Sequence, residues 1–411
     1  MDLTARVNGS RFWGTVERSA EIGATSDGGL DRQTLTPADK QMRDLFVGWC
    51  ADAGLEISTD PLGSIFARRA GRDNNLPPVV MGSHLDSQEN GGRYDGILGV
   101  LAALEVIRTL NDIGHITRRP LEIVNWTNEE GCRFSPPMLA SGCFADAYSI
   151  DWVYQRQDQA GTTFKQALDA LDIAGTAPLG RKFDCYFELH IEQGSRLDDT
   201  GVKVGVVTHG YHSNRVVVQF FGEAGHTGTA PMGTRRSAMV AAAHLAVKLD
   251  QIGLRFSDTG GMATAGQILA LPNRAGVITP WSQVVCDVRH DDMGTEQEML
   301  RELEQAIEEA AALGRCQFKI VDNWKWGGEL FDGGLVDLIK TSCEKLDFPY
   351  LTLPSLAAHD AYFVASTCPA AMIFTPCRAG VTHNPNEFTT CEDSLPGVNV
   401  LLHSAVRRAD R

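Results

Sequence analysis

The sequence predicts an α/β fold with two parts: a larger domain built on a helix-covered mixed sheet, and a smaller βαββαβ domain inserted into it. Strand-like apolar runs alternate with helical periodicity in the outer parts of the chain, while the middle part follows its own order. The length, 411 residues, also exceeds the usual size of a single core. We expect residues 1–213 and 327–411 to form the larger domain and residues 214–326 the inserted one.

The larger domain is predicted from a strand, helix, strand order near the N-terminal end. The apolar run PVVMGS at residues 78–83 precedes helical spacing at residues 97–110, and a second apolar run follows at residues 121–126. A helix at 334–346 and an apolar run at 370–374 resume this pattern near the end of the chain. Such sheets place active sites at the carboxyl ends of their strands, so the polar residues after each strand are the first candidates.

The inserted domain is predicted from alternation and amphipathic spacing. Its elements are a strand with Val216, Val218 and Phe220 on one face, a helix over 236–249, strands over 264–271 and 283–288, an acidic helix over 296–313 and a strand over 317–321. This βαββαβ order is typical of a small ferredoxin-like domain.

Composition excludes several classes of partner. The formal charge of −15 argues against nucleic acid, because nucleic-acid binders need clustered Lys and Arg. No apolar segment approaches the roughly 20 residues that cross a bilayer, and the N-terminal segment alternates charged and apolar residues, unlike a signal peptide. Ten cysteines without a CxxC pair indicate reduced thiols. We therefore expect a cytoplasmic protein with no membrane span.

Histidine and acidic residues follow the predicted strands in four motifs. The motifs are GSHLDSQENGGRYDG with His84, Asp86 and Asp95, NWTNEEGCRF with Glu129 and Glu130, CYFELHIEQG with His190, and AGVTHNPNEF with His383. Imidazole and carboxylate ligands suit zinc, manganese, cobalt or nickel, and paired ions commonly share a carboxylate. We expect two divalent metal ions, zinc first. Of the adjacent Glu129 and Glu130, one would bind a metal and the other would move a proton.

Seven ordered motifs between residues 84 and 387 carry a family resemblance. They are HLDSQENGGRYDG, NEEGCRF, LHIEQG, GHTGTAPMGTRRSA, DVRHDD, AHDA and THNPNE. The chain resembles the dinuclear-metal amidohydrolases that include N-carbamoyl-L-amino-acid hydrolases, β-ureidopropionases and allantoate amidohydrolases, relatives of aminoacylase and carboxypeptidase G. The resemblance implies a metal-dependent catalytic domain, an inserted domain that acts as a lid and mediates dimerisation, and hence a homodimer.

The resemblance also implies roles for individual residues. It implies that His84 and His190 bind one metal, that Glu130 and His383 bind the other, that Asp95 bridges them, that Glu129 is the general base and acid, and that Asp86 orients His84. It further implies that Gln193, His226 and Arg289 contact the substrate. Arg289 suits a bidentate clamp on a substrate carboxylate, His226 suits stabilisation of an oxyanion, and Gln193 suits recognition of the ureido nitrogen.

Two positions depart from the family pattern. Thirteen residues before Arg289 the family carries an Asn, whereas this chain has Gly276 in RAGVITP; Arg274 is a candidate replacement contact. The glycine-rich lead into the HDA motif is replaced by a segment that ends in Ala358. These departures concern the substrate pocket and leave the metal ligands intact.

The leading function is hydrolysis of a linear C–N amide bond, the N-carbamoyl (ureido) group of an N-carbamoyl amino acid. The substrate would be a small molecule with a carboxylate. Hydrolysis of an N-acyl amino acid or of allantoate stays open because of the altered pocket, as does cleavage of dipeptides. A non-catalytic binding protein is disfavoured, because all five expected metal ligands and Glu129 are present.

Overall fold

A computed structural model describes residues 5–411. Residues 1–4 lie outside the described residues. They are the start of the N-terminal segment that was compared above with a signal peptide. The chain divides into two compact units: the larger one extends to His209 and resumes at Glu329, and the smaller one is Gly210–Gly328. The predicted inserted segment, residues 214–326, lies inside the smaller unit.

The helices and strands are labelled in chain order. The helices are α1 (Gly9–Ser19), α2 (Pro37–Asp52), α3 (Ile97–Asp112), α4 (Leu139–Phe144), α5 (Ile150–Tyr154), α6 (Phe164–Ala170), α7 (Arg196–Thr200), α8 (Ala238–Phe256), α9 (Met293–Gly314), α10 (Gly333–Leu346), α11 (Asp360–Val364) and α12 (Cys391–Ala409). The strands are β1 (Glu56–Thr59), β2 (Ile65–Arg69), β3 (Val79–His84), β4 (Leu121–Trp126), β5 (Cys185–Ile191), β6 (Val204–Gly210), β7 (His212–Phe221), β8 (Gly225–His226), β9 (Met262–Leu271), β10 (Val277–Ile278), β11 (Trp281–His290), β12 (Gln317–Trp326), β13 (Tyr350–Ser355) and β14 (Ala370–Thr375).

The larger unit contains an eight-stranded mixed sheet, in the order β1-β2-β4-β3-β5-β14-β6-β13. Its centre is parallel, because β3 pairs in parallel with β4 and β5, and β5 pairs in parallel with β14. Strands β2 and β6 join this centre in the antiparallel sense. The α/β class and the helix-covered mixed sheet are thereby confirmed.

Continuous burial explains why the central strands lack polar alternation. Every residue of β3, β4, β5 and β14 is buried, as expected for strands covered on both faces. Helix α3 packs against β3 and β5, and a Cβ at Gly99 would lie 2.1 Å from the backbone oxygen of Leu189. The glycine therefore lets the helix lie close to the strands that end in the candidate ligands.

The smaller unit has the element order β7-α8-β9-β11-α9-β12. Its four-stranded antiparallel sheet has the order β12-β7-β11-β9. Helices α8 and α9 share a core with the sheet, in which Val218, Leu245 and Leu303 are buried. Strands β8 and β10 form a separate two-stranded ribbon, which the sequence analysis did not predict because two-residue strands are too short to show alternation.

The predictions on membrane spans and on cysteines can be compared with the described residues. Across residues 5–411 no helix combines the length and the apolar character needed to span a bilayer. All ten cysteines are free thiols, and seven of them are buried.

Candidate metal centre

The candidate ligands lie at the carboxyl edge of the parallel strands. His84 is the last residue of β3, and His190 is the penultimate residue of β5. Glu129 and Glu130 follow β4, and His383 lies in the segment after β14. Because neighbouring parallel strands end at the same edge, residues far apart in sequence meet here.

One group of donor atoms is formed by His84, Asp95 and His190. Their ligand atoms all lie within 4.8 Å of one another, and all three residues are buried. Asp95 Oδ1 is 3.1 Å from His190 Nε2 and 3.8 Å from His84 Nε2. This arrangement can hold one cation.

A second group, formed by Asp95, Glu130 and His383, lies beside the first. His383 Nε2 is 3.3 Å from Asp95 Oδ2 and 3.3 Å from Glu130 Oε2. Asp95 thus presents one carboxylate oxygen to each group, the arrangement expected of a carboxylate shared by two cations. His383 differs from the buried imidazoles, because its side chain is 47% exposed and its φ is 51°.

The imidazole orientations fit metal binding. The Nδ1 atoms of His84 and His190 lie 2.9 Å from the backbone oxygens of Asp86 and Ile191. A carbonyl only accepts, so each Nδ1 carries the hydrogen and each Nε2 offers its lone pair to the cluster. The mixed imidazole and carboxylate donor set suits zinc and related divalent ions. The residues present therefore fit the expected metals.

Gly96 and its neighbours keep this cluster compact. The Gly96 backbone nitrogen lies 3.0 Å from His190 Nε2, and the φ of Gly96 is +69°. A Cβ at this position would lie 2.2 Å from His84 Nε2. Only glycine lets the start of α3 approach the two imidazoles this closely.

Burial and neighbouring charges shift the acidic groups in different directions. Burial, reinforced by Asp360 and Glu130, raises the pKa of Glu129 well above its usual range. Burial also raises the pKa of Glu130, to about 7. Burial works against ionisation of Asp95 too, but the adjacent imidazoles of His190 and His383 outweigh it and lower its pKa well below the usual range. The two buried glutamates and the shared aspartate are thus shifted in opposite directions.

Asp86, which the resemblance assigns to orienting His84, contacts that imidazole through its backbone oxygen. Asp86 Oδ1 lies 3.8 Å from His84 Nδ1, beyond hydrogen-bond distance, and the backbone oxygen of Asp86 makes the contact instead. The carboxylate faces the backbone N–H groups of Glu129 and Glu130, at 3.4 Å each. A short loop can orient a ligand through its own carbonyl, which sequence spacing does not reveal.

Gln193 contacts the shared carboxylate. Its Nε2 donates to Asp95 Oδ2 at 2.8 Å and lies 3.3 Å from Thr382 Oγ1. Its Oε1 is buried and has no hydrogen-bond partner among residues 5–411. This unpartnered oxygen lies beside the two donor groups and can accept a hydrogen bond from an N–H of a bound molecule.

Several contacts were missed by the sequence analysis. Gln88 donates its backbone N–H to Glu130 Oε1 at 3.1 Å and its side-chain amide to Oε2 at 2.6 Å. Glu387 accepts from the backbone N–H of Asp95 at 3.1 Å. Both residues lie inside motifs quoted above, HLDSQENGGRYDG and THNPNE, so position within a motif was the available signal. The positions of Gln88 and Glu387 in the sequence do not by themselves indicate contacts with the candidate ligands.

His359 was also missed, although it follows Ala358. Its ring packs against that of His190 with centroids 4.4 Å apart, and Ala358 beside it is half-buried. Glu188, His190 and His359 form a third donor group. Glu188 already accepts from Ser83 Oγ at 2.7 Å, from Tyr186 OH at 3.1 Å and from the Ala361 N–H at 3.1 Å. In this third group, Glu188 and His359 therefore help to hold the His190 ring in place.

Three predicted substrate residues lie together in the smaller unit. His226 is exposed in β8 and pairs with Val277 of β10. Gly276, with φ +87°, accepts from the Thr227 N–H at 3.1 Å, and Arg274 accepts from the Val277 N–H at 3.3 Å. The ribbon of β8 and β10 thus brings His226, Gly276 and Arg274 into one exposed segment.

Arg289 lies elsewhere in the smaller unit. It is near the end of β11, and its guanidinium donates to both oxygens of Asp287, at 2.6 and 3.2 Å. The ribbon extends from the opposite end of β11, at Trp281. Eight residues at about 3.3 Å each separate the two ends by roughly 26 Å. Within one copy of the chain, Arg289 and His226 lie at opposite ends of the sheet.

The fold and this cluster of imidazoles and carboxylates are those of a metal-dependent hydrolase. The chain belongs to Peptidase family M20/M25/M40, whose sequence pattern matches residues 80–407. It is 37% identical to the N-carbamoyl-L-amino-acid amidohydrolase of Rhizobium meliloti, over 98% of this chain and 97% of that protein. It is 33% identical to the ureidoglycolate hydrolase of Oryza sativa subsp. japonica, over 92% and 80%.

A solved structure shows the same fold. The crystal structure of an amidase of the hydantoinase/carbamoylase family from Burkholderia vietnamiensis matches with a TM-score of 0.96. The match covers 100% of both chains at 38% sequence identity. The predicted resemblance to carbamoyl-hydrolysing amidohydrolases is confirmed at the level of the family.

Proposed function

We propose that this protein hydrolyses the ureido group of an N-carbamoyl amino acid, releasing ammonia, carbon dioxide and the free amine. The observation that carries the proposal is the Asp95 carboxylate, which presents one oxygen to each of two donor groups. The similarity to the amidohydrolase of Rhizobium meliloti over nearly the whole of both chains supports the choice of substrate.

We assign two divalent cations to the two donor groups, zinc first and manganese, cobalt or nickel as alternatives. His84 and His190 would hold one, Glu130 and His383 the other, and Asp95 both. When bound, such ions polarise a carbonyl and acidify water.

Glu129 would move the proton. It takes a proton from the attacking water as the new C–O bond forms, and it returns that proton to the leaving nitrogen as the C–N bond breaks. Its Oε2 lies 3.5 Å from His84 Nε2, beside the first donor group, which suits both steps. The carbamate released in this way breaks down to ammonia and carbon dioxide.

Four of the predicted residues would contact the substrate. The unpartnered Oε1 of Gln193 would accept a ureido N–H. Arg289, whose guanidinium plane is fixed by Asp287, would bind the substrate carboxylate, and His226 would donate to the scissile carbonyl. Arg274 would supply the contact that the family makes with an Asn, since Gly276 has no side chain. An Arg274→Ala variant with unchanged KM would contradict this last assignment.

We further propose a homodimer formed through the smaller unit, which we consider a lid. Helix α8 exposes an apolar stripe at helical spacing that includes Val240, Val247 and Leu254, the last two 57% and 68% exposed. Strand β9, at the edge of the sheet, exposes Ile268 and Leu271. The separation of His226 from Arg289 within one copy supports a substrate site completed by a second copy.

A second candidate is a related ureido or acyl substrate. Gly276 and Ala358 alter positions that the resemblance assigns to the substrate pocket, and the rice relative is named a ureidoglycolate hydrolase. Allantoate and N-acyl amino acids belong to the same group of alternatives. For location we propose the cytoplasm, since ten free cysteines suit a reducing compartment.

The test is a substrate panel with metal-reconstituted and metal-stripped protein. Ammonia release would be measured with N-carbamoyl-β-alanine, N-carbamoyl-L-α-amino acids, ureidoglycolate and allantoate, and amine release with N-acetyl amino acids. We expect the fastest, chelator-sensitive turnover with an N-carbamoyl amino acid. Turnover confined to ureidoglycolate, allantoate or acyl compounds would establish the second candidate, and chelator-resistant turnover would contradict the metal centre.

A further inference from the structure

Glu387 joins the two loops that carry Asp95 and His383. It is buried, four residues after His383. Its Oε1 accepts from the backbone N–H groups of Tyr94 at 2.9 Å and Asp95 at 3.1 Å. Its Oε2 accepts from Thr382 Oγ1 at 2.9 Å. One carboxylate therefore ties together two segments that are nearly 300 residues apart in sequence.

The loop before Asp95 is shaped to receive this carboxylate. A Cβ at Gly92 would lie 1.9 Å from the Glu387 carboxyl carbon and 2.0 Å from its Oε1. A side chain on Gly92 would occupy the space that Glu387 fills. Glycine at 92 and glutamate at 387 thus form one packed unit.

Thr382 extends the link to the shared ligand. Its Oγ1 lies 3.1 Å from Asp95 Oδ2 as well as 2.9 Å from Glu387 Oε2. Thr382 directly precedes His383 in the chain. Its hydroxyl therefore connects the backbone next to His383 with the side chain of Asp95. Asp95, Glu387 and His383 are therefore positioned as a group.

The two cation positions depend on this link to different degrees. His84 and His190 belong to strands β3 and β5, whose backbones are fixed by sheet hydrogen bonds. Asp95 and His383 belong to loops, and His383 is half-exposed with a positive φ. In the position formed by Asp95, Glu130 and His383, Gln88 holds Glu130, so His383 is the ligand that depends most on the link.

We propose that Glu387 is a positioning residue that sets the distance between Asp95 and His383 and thereby makes the second cation position. This proposal rests on the two-cation centre proposed above. Glu387 is not a member of either donor group. It acts through the backbone of Asp95 and the hydroxyl of Thr382.

The experiment is a titration of metal-free protein with Co²⁺, with visible absorption and calorimetry as readouts. We expect wild type to bind two ions and Glu387→Ala to weaken the one at Glu130 and His383 roughly 10- to 100-fold, the usual cost of losing an outer contact, while the one at His84 and His190 is weakened less. Glu387→Gln should restore most of this affinity. Its Oε1 can still accept both backbone N–H groups, and its amide can donate to Thr382 Oγ1. Glu392→Ala, an exposed site on α12, is the matched control.

Each outcome decides a different proposal. Two ions bound equally well by wild type and Glu387→Ala, or both ions weakened to the same extent, would overturn the role of Glu387 alone. Wild type that binds fewer than two ions would overturn the two-cation centre and this proposal with it. If Glu387→Ala does not fold, Thr382→Val replaces it: this variant keeps both backbone hydrogen bonds, and unchanged affinity for the second ion would overturn the proposal.

Discussion

The two units present their candidate functional residues in opposite ways. In the larger unit, His84, Asp95 and His190 are buried and converge to within 4.8 Å. In the smaller unit, His226 is exposed and lies at the far end of the sheet from Arg289. The larger unit thus contains a converged cluster of donor atoms, whereas the two candidate substrate residues of the smaller unit lie apart within one copy.

The largest effect is expected from Glu129→Gln in the larger unit. The amide cannot accept the proton of the attacking water, so kcat for ammonia release should fall roughly 10²- to 10⁴-fold. Co²⁺ binding should be unchanged, because Glu129 belongs to neither proposed cation position. Glu89→Gln, an exposed change in the GSHLDSQENGGRYDG motif, is the control. A kcat within twofold of wild type would remove Glu129 from the mechanism.

Arg289→Lys in the smaller unit should raise KM with little change in kcat. Lysine keeps the charge but loses the two parallel hydrogen bonds to a carboxylate, and we expect KM to rise about tenfold. Arg301→Lys on α9, an exposed arginine of the same unit, is the control. A fall in kcat at constant KM would place Arg289 in the reaction centre and weaken the contrast between the units.

Mixing two inactive variants tests whether a second copy completes the site. Arg289→Ala and His226→Ala chains would be unfolded, combined in equal amounts and refolded. If the two residues act from different copies, half of the dimers are mixed and each has one intact site, which restores about a quarter of wild-type activity. Refolding each variant alone is the control. No recovery, with mixed dimers confirmed by mass, would place both residues in the same copy.

The smallest effect concerns the stability of the smaller unit. Although burial opposes it, the guanidiniums of Arg289 and Arg215 lower the pKa of Asp287 to about 2. A lowered carboxylate pKa stabilises the fold above the unfolded value, and this stabilisation is lost as pH falls through the folded value. Asp287→Asn should therefore lower the free energy of unfolding at pH 7 by on the order of 2 kcal/mol.

The pH dependence of this difference is the measurement. Urea unfolding of wild type and Asp287→Asn would be compared at pH 7 and near pH 3, with Asp250→Asn, at an exposed site of the same unit, as the control. The gap between wild type and Asp287→Asn should shrink at the lower pH. A gap that is the same at both pH values would mean that the carboxylate charge contributes nothing.

Elements with a strong local pattern could be predicted from the order of the residues. The apolar run at 121–126 and the strand β4 coincide, and the predicted helix at 334–346 differs from α10 by one residue. The ligand candidates followed because polar residues after buried parallel strands meet at one edge. The predicted elements and the predicted ligands both depend on local periodicity and on the order in which strands and helices follow one another. These features can be read directly from a sequence.

Tertiary structure alone decided how the ligands are oriented and which residues hold them. The carbonyl of Asp86 contacts His84, Gln88 binds Glu130, and Glu387 reaches the backbone of Asp95. It also decided that Arg289 lies near one end of β11 and that the ribbon carrying His226 extends from the other end. The physical reason is that these contacts join segments far apart in sequence or depend on backbone atoms, and neither leaves a periodic trace in the order of the residues.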